Sequence, residues 1–246
     1  MKQPHIQLDE TISAKCALLP GDPARLDRIA SQLESIKELA FNREFRSLHG
    51  FYKGMPVLAL STGIGGCSAA IAIEELHAIG IKAMIRIGSC GALQSNIRLG
   101  DLILASGAIR DEGTSRAYVD LSYPAVPDTL LLHHCLQIVQ EEKWPHHIGI
   151  IHSHESFYID HNDMIEDSWS KLGVLGADME SAALFTIGRL RHIATASILN
   201  NVVTYGQDTA DAIAGYVDGA SACAMGEQRE IHTALEALYR FETKAS

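Results

Sequence analysis

The chain has 246 residues, 47% of them hydrophobic, and a formal net charge of -10. That is enough apolar material for the core of one large α/β domain. The acidic balance argues against a general nucleic-acid binder, which needs basic patches against phosphates. It leaves room for a local group of arginines around a small anion. Five cysteines (Cys16, Cys67, Cys90, Cys135, Cys223) are scattered with no Cys-x-x-Cys pair, as expected of reduced thiols in a cytoplasmic protein. No stretch reaches the roughly 18 apolar residues of a membrane span, and residues 1–15 lack the apolar core of a signal peptide. The expectation is a soluble, cytoplasmic protein with neither a membrane nor a nucleic-acid partner.

In chain order, Cys16–Pro20 reads as a strand, after which Asp22-Pro23 opens a helix with a capping residue and a first-turn proline. Residues 56–61 form a strand running into Thr62-Gly63-Ile64-Gly65-Gly66. Residues 68–79 have helical spacing and stop at Gly80. Residues 82–87 are a strand broken by Gly88-Ser89-Cys90-Gly91, and 101–109 another. A helix over 128–142 follows, with Leu130, Leu131 and Ile138 as its core stripe, then an extended segment over 147–152. Residues 180–191 are helical, 193–199 extended, and the tail from about 222 to 239 helical. Alternating strands and helices predict a single α/β domain over residues 1–246, with a central mixed, mostly parallel twisted sheet flanked by helices. Ligands of such sheets bind beyond the carboxyl ends of the strands, where each glycine-rich break falls.

Three segments carry chemistry. In Gly21-Asp22-Pro23-Ala24-Arg25 a glycine at a strand end permits close backbone approach, the helix start favours an anion, and Arg25 adds a guanidinium. An ordinary capped helix start explains the same residues. In Arg86-Ile87-Gly88-Ser89-Cys90-Gly91 an arginine on a buried strand needs an anion or a carboxylate, and the glycines and serine that follow suit a phosphate. A structural ion pair is the plain alternative. In Ala177-Asp178-Met179-Glu180-Ser181 a carboxylate can accept from the vicinal hydroxyls of a ribose while Met179 covers the sugar face; helix capping is the rival reading. Two strand ends that each carry glycine and arginine favour phosphate binding. Among the 12 histidines, His152 and His154 share a strand face but have no third ligand at metal spacing, so no metal is expected.

Together with Asn42-Arg43-Glu44-Phe45, Ser61-Thr62-Gly63-Ile64-Gly65-Gly66 and Ser156-Phe157-Tyr158, these segments resemble the nucleoside phosphorylase family that includes hexameric bacterial purine nucleoside phosphorylase and uridine phosphorylase. The resemblance implies phosphate ligands at Gly21, Arg25, Arg86 and Ser89, with Arg43 reaching the phosphate of a neighbouring subunit. It implies ribose ligands at Met179 and Glu180, with His5 from the neighbour on the 5′-hydroxyl. Phe157 would pack on the base, with Cys90 and Gly91 beside it. The reaction implied is phosphorolysis of a nucleoside to free base and ribose or deoxyribose 1-phosphate. No cofactor is needed beyond phosphate as co-substrate, and the active site is shared within a homo-oligomer, a dimer or a hexamer.

Two departures bear on the base. Hexameric purine enzymes of this family have an acid after a late strand, where Ser197-Ile198-Leu199-Asn200-Asn201 places Asn201. An amide can hydrogen-bond a base but cannot protonate it, so Arg86 and Asn201 are read as the catalytic pair and a 6-oxopurine as the base. Asp208 or Asp211 could supply an acid instead. Uridine phosphorylases carry a glutamine and an arginine shortly after the Phe-Tyr pair, and Ile159-Asp160-His161-Asn162-Asp163 has neither. The rival readings are a uridine phosphorylase, a nucleosidase using water, and a catalytically weak nucleoside-binding member of the family.

Overall fold

The structure, a computed structural model, describes residues 1–207 and 221–244. Nine strands form one sheet: β1 (Cys16–Pro20), β2 (Glu34–Asn42), β3 (Phe45–Tyr52), β4 (Met55–Leu60), β5 (Ala83–Ala92), β6 (Leu102–Asp111), β7 (His146–His154), β8 (Gly176–Asp178) and β9 (Ala194–Val203). Their spatial order is β2-β3-β4-β1-β5-β8-β7-β6-β9, and β9 also pairs with β5. The second half of the sheet therefore closes on itself, from β5 through β8, β7, β6 and β9 back to β5. Five of the pairings are parallel and four antiparallel. The sheet is mixed as expected, with parallel pairings only narrowly in the majority.

Helices cover both faces: α1 (Arg25–Ala30), α2 (Gly66–Ala78), α3 (Gly113–Tyr118), α4 (Thr129–Glu141), α5 (Asn162–Lys171), α6 (Ser181–Leu190) and α7 (Ser221–Lys244). The pleat of β1 shows how this layering arises. Its residues are all buried, and alternate side chains enter different cores because successive side chains point to opposite faces. Ala17 and Leu19 join Ile73 of α2 and Phe185 of α6. Cys16 and Leu18 join Leu26 of α1, Leu131 and Ile138 of α4, and Leu235 of α7. In α4 the Asp128 carboxylate caps the helix by accepting from the Leu131 amide at 2.9 Å. Leu130 points outward and is half exposed, which corrects its place in the core stripe; one residue on a helix rotates the side chain by about 100°.

The β2–β3 hairpin did not register as strands in the sequence. Strand β2 is an edge, exposed along most of its length, so its residues lack the apolar alternation that marks a half-buried strand. Arg43 in its turn adopts φ 56°. No described helix is long and apolar enough to cross a membrane.

Candidate active site

Neighbouring strands β1 and β5 run parallel with Pro20 opposite Ile87, so Gly21 leaves the end of β1 beside Gly88. Strand β5 itself, expected to break at Gly88, runs on through Gly88-Ser89-Cys90-Gly91 to Ala92 because β9 and β8 pair with that stretch. Arg86, on buried β5, is 5% exposed. Its guanidinium folds back over Gly88, where a Cβ would sit 2.5 Å from Nη2; only glycine leaves that space. Nε donates to Asp178 Oδ2 at 3.0 Å, and Nη2 lies 2.5 Å from Glu180 Oε2. Buried Nη1 has no hydrogen-bond partner in the structure. An unmet buried donor is costly unless a ligand or water meets it.

Arg25 comes to the same place from the start of α1. It is also buried, its Nη1 donating to the Ile87 carbonyl and its Nη2 to Ser89 Oγ, each at 3.2 Å. The carbonyl of Gly21 accepts from the Gly63 amide at 3.0 Å, tying the two glycine-rich turns together. Gly21, Arg25, Arg86 and Ser89, far apart in the chain, thus meet where the end of β1 adjoins the middle of β5.

The carboxylates of β8 and its exit divide the work. Asp178 accepts from Ser153 Oγ at 2.5 Å, from the Ser181 amide at 3.0 Å, from Ser181 Oγ at 2.7 Å and from Arg86. Fully engaged, it anchors Arg86 and the start of α6. Glu180 Oε1 accepts from the Gly65 amide at 2.5 Å and Oε2 from the Met179 amide at 3.3 Å. Gly65 has φ 92°, in the region that favours glycine, and that turn presents its amide. Burial pushes the Glu180 carboxyl above its ordinary pKa, with the Arg86 charge pulling the other way. Met179 is half-buried beside it.

On the far side of Gly91 a small cavity is lined by Gly91, His154, Phe157, Ala177, Val203 and Thr204, among others. Phe157 is half-buried and stacks edge-on against Tyr158. Cys90 is buried, and its backbone pairs with Asn201. The register between β5 and β9 then shifts by one, so that Val203, not Val202, comes opposite Gly91. Asn201 is wholly buried and its Nδ2 donates to the Arg98 carbonyl at 3.1 Å. Asn201 is absent from the lining of this cavity, where Val203 and Thr204 stand, and its buried Oδ1 has no hydrogen-bond partner among the described residues. Asp208 and Asp211 lie outside the described residues.

Comparison with known proteins gives this geometry a family. Residues 15–211 match the Phosphorylase superfamily. The chain belongs to that superfamily. It is 38% identical to a guanosine phosphorylase of Halorubrum lacusprofundi, covering 85% of this chain and 88% of that one. It is 41% identical to a uridine phosphorylase of Thermococcus kodakarensis over 76% of this chain and 72% of the relative. A crystal structure of uridine phosphorylase from Vibrio fischeri superposes with a TM-score of 0.91 at 44% identity, covering 97% of each chain. This superfamily member is a nucleoside-phosphorylase-type enzyme that cleaves glycosidic bonds by phosphorolysis.

The two residues expected from a neighbouring subunit sit together in this phosphorylase. His5 is held by Glu75, its Nδ1 2.6 Å from Oε1, and its carbonyl accepts from Asn42 Nδ2 at 2.8 Å. Arg43, the next residue, is exposed. Both charges act on Glu44, whose carboxyl is held below its ordinary pKa first by the Ser68 hydroxyl. Of the remaining histidines, His152 Nε2 lies 3.0 Å from Asp111 and His154 Nδ1 3.0 Å from the Ser156 carbonyl. Among the described residues no group of three or more His, Cys, Asp or Glu is placed to hold a metal.

Two site residues escaped sequence reasoning altogether. Glu227 and Glu230 of α7 lie against Arg25, with Glu227 Oε2 3.2 Å from Nε and Glu230 Oε1 3.2 Å from Nη1. Glu227 also pairs with Arg28. The signal available was two acids three residues apart beside the apolar Ile231, on the buried face of a helix, where unpaired carboxylates are not tolerated.

Proposed function

We propose that this phosphorylase transfers the ribosyl group of a uridine-type nucleoside to inorganic phosphate. The observation that carries phosphorolysis is Arg86, whose buried, unmatched Nη1 lies beside an anion-suited turn while its Nη2 holds Glu180. One guanidinium thereby links a phosphate pocket to a ribose carboxylate. In this reading Gly21, Arg25, Arg86 and Ser89 hold phosphate, joined by Arg43 of a neighbouring subunit. Glu180 accepts from the 2′- and 3′-hydroxyls, Met179 covers the sugar, and the neighbour's His5 meets the 5′-hydroxyl. The C1′–N bond breaks as a phosphate oxygen bonds to C1′. Phosphate beneath the sugar stabilises the oxocarbenium character that develops, so positioning and electrostatics supply most of the rate.

The uridine reading is supported by relatives on both the sequence and the structural side. It is also supported by the lining of the base cavity, where Phe157, the Thr204 hydroxyl and the Gln207 amide suit a flat, neutral lactam. With Asn201 tied to Arg98, the argument for a 6-oxopurine loses its residue. A 6-oxopurine shares the lactam edge of uracil, and the likeness to a guanosine phosphorylase keeps it as the second reading. With phosphate present, uridine should be cleaved with a kcat/KM at least about tenfold above inosine, guanosine and adenosine, roughly 1.4 kcal/mol in barrier. The product should be ribose 1-phosphate, and base release should nearly cease without phosphate. Best turnover of guanosine or inosine would install the second reading; equal release in phosphate-free buffer would replace phosphorolysis with hydrolysis.

A shared site predicts complementation. Arg25→Ala and Arg43→Ala proteins, each nearly inactive, should regain measurable activity after subunit exchange, because one mixed site then carries both arginines. Verified exchange with no recovery would assign Arg43 to another task.

A further inference from the structure

Among the described residues, three guanidiniums (Arg25, Arg28, Arg86) and four carboxylates (Asp178, Glu180, Glu227, Glu230) gather at this end of the sheet as one group of two ion-paired sets. Arg25 and Arg28 pair with Glu227 and Glu230, and Arg86 with Asp178 and Glu180, with Arg86 acting on Glu230 through space. With every member ionised the group carries one negative charge in excess. A phosphate dianion entering beside Arg25 and Arg86 would add two more in a place where water screens little. A neighbour's Arg43 would not restore balance. Glu230 is the member least accounted for: it is wholly buried, and neither of its oxygens is met by a well-aligned hydrogen bond. Its one ion pair among the described residues is with Arg25 Nη1, at the guanidinium that phosphate is expected to need.

We propose that Glu230 is a positioning residue for phosphate that takes up one proton as the anion binds and returns it as the anion leaves. Above about pH 8, where Glu230 of the empty enzyme is ionised, it holds Arg25 by its charge. Protonated, it gives up its claim on the charge of Arg25, and the guanidinium turns its full attraction on phosphate. The proton comes from solvent, or from dihydrogen phosphate, which then stays behind as the dianion; either way one proton is gained per anion bound. This inference rests on the phosphate-site reading above.

The surroundings support it. Burial pushes the Glu230 carboxyl up to about 8; Glu227 adds to the shift, while Arg25, Arg86 and the Gly88 amide oppose it. The charged groups facing it are Arg25 and Arg28 from α1, Arg86 from β5 and Glu227 from α7 itself. Among other titratable groups on the elements packed around α7, Cys90 of β5 is pushed well above its ordinary pKa by burial. Cys16 of β1 is pushed up to about 12, chiefly by burial and then by Glu242. Buried His134 of α4 contacts Gln137, and Asp101 at the start of β6 is paired with His147. From β9, Ser197 and Asn200 are buried but do not ionise.

Sulfate is the suitable probe, because it stays a dianion across the whole window whereas phosphate itself titrates near neutrality. Binding to the intact protein is measured by calorimetry from pH 7.5 to 9.5, in buffers of differing ionisation enthalpy. The wild-type Kd should rise with pH, approaching tenfold per unit near pH 9, with proton uptake per sulfate small at pH 7.5 and rising to close to one near pH 9. Glu230→Gln should bind sulfate with a Kd that changes less than about threefold over the window and with little proton uptake. A flat wild-type Kd without proton uptake overturns the proposal, and so does an unchanged slope in Glu230→Gln. Loss of sulfate binding in a folded Glu230→Gln protein also overturns it, in favour of a merely structural role. If that variant does not fold, proton uptake by the wild type decides alone. Absence of sulfate binding at every pH would overturn the phosphate site itself, whereas pH-independent binding removes only the role of Glu230.

Discussion

Arg86→Ala should lower kcat/KM by about a thousandfold, roughly 4 kcal/mol of transition-state stabilisation. The side chain is asked to do two things at once. Its buried Nη1 is open to phosphate, and its Nη2 and Nε fix the two carboxylates of β8 and its exit. Removing it takes away a charge beneath the developing oxocarbenium and frees Glu180 from its ribose-binding pose. Arg86→Lys is the informative companion, since it keeps a cation but loses the fork that reaches Asp178 and Glu180 together. It should recover only part of the loss, with KM for phosphate rising. Steady-state kinetics in both substrates, on proteins shown to be folded by circular dichroism, provide the check. An Arg86→Ala enzyme within tenfold of wild type would remove Arg86 from the phosphate site.

The largest effect on stability is expected at Asp178. Asp178→Ala strips a buried guanidinium of one of its two carboxylate partners and leaves the Ser153 hydroxyl and the Ser181 amide without an acceptor, with Ser197 as the remaining partner of the Ser181 hydroxyl. Breaking one side of a buried, hydrogen-bonded ion pair costs about 3–5 kcal/mol, which for a chain of this size lowers Tm by roughly 10 °C. Asp178→Asn keeps an acceptor oxygen without the charge and should fall between the two in denaturant midpoint. If Asp178→Ala costs less than about 1 kcal/mol, Arg86 has another anchor and the division of labour between Asp178 and Glu180 is wrong.

The same residue pair shows where the chain was readable. Arg86 on an apolar strand had to find an anion or a carboxylate, and it meets two carboxylates with one buried donor left over. The rival readings offered by the sequence, structural ion pair and ligand site, are not exclusive at this residue. At Asp178 capping prevailed, because Ser181 and Ser153 occupy its oxygens. Glu180, two residues on, is left facing Gly65.

Local pattern was sufficient wherever neighbours in sequence decide the outcome. Strands β1, β4 and the first half of β5 are short apolar runs whose burial on both faces shows as composition. Glycine-rich turns follow β1 and β4, whereas Gly88-Ser89-Cys90-Gly91 lies within β5 because β9 and β8 pair with it. The glycine–arginine segments proposed to hold phosphate each span only a few residues, and their glycine and arginine positions were therefore legible as pattern. What depends on pairing across the chain was not. Strand β2 is a strand only because β3 supplies its hydrogen bonds, and its exposed residues carry no period of their own. The one-residue shift between Cys90 and Gly91 that puts Val203 in place of Val202 is a property of two strands in register, and neither sequence contains it. Glu227 and Glu230 meet Arg25 from some 200 residues away, on a helix whose apolar stripe says that it is buried but not what it is buried against. Composition and short-range spacing thus determined the fold class and the anion-binding turns; tertiary structure alone decided which carboxylates stand over them, because electrostatic partners are chosen by distance in space.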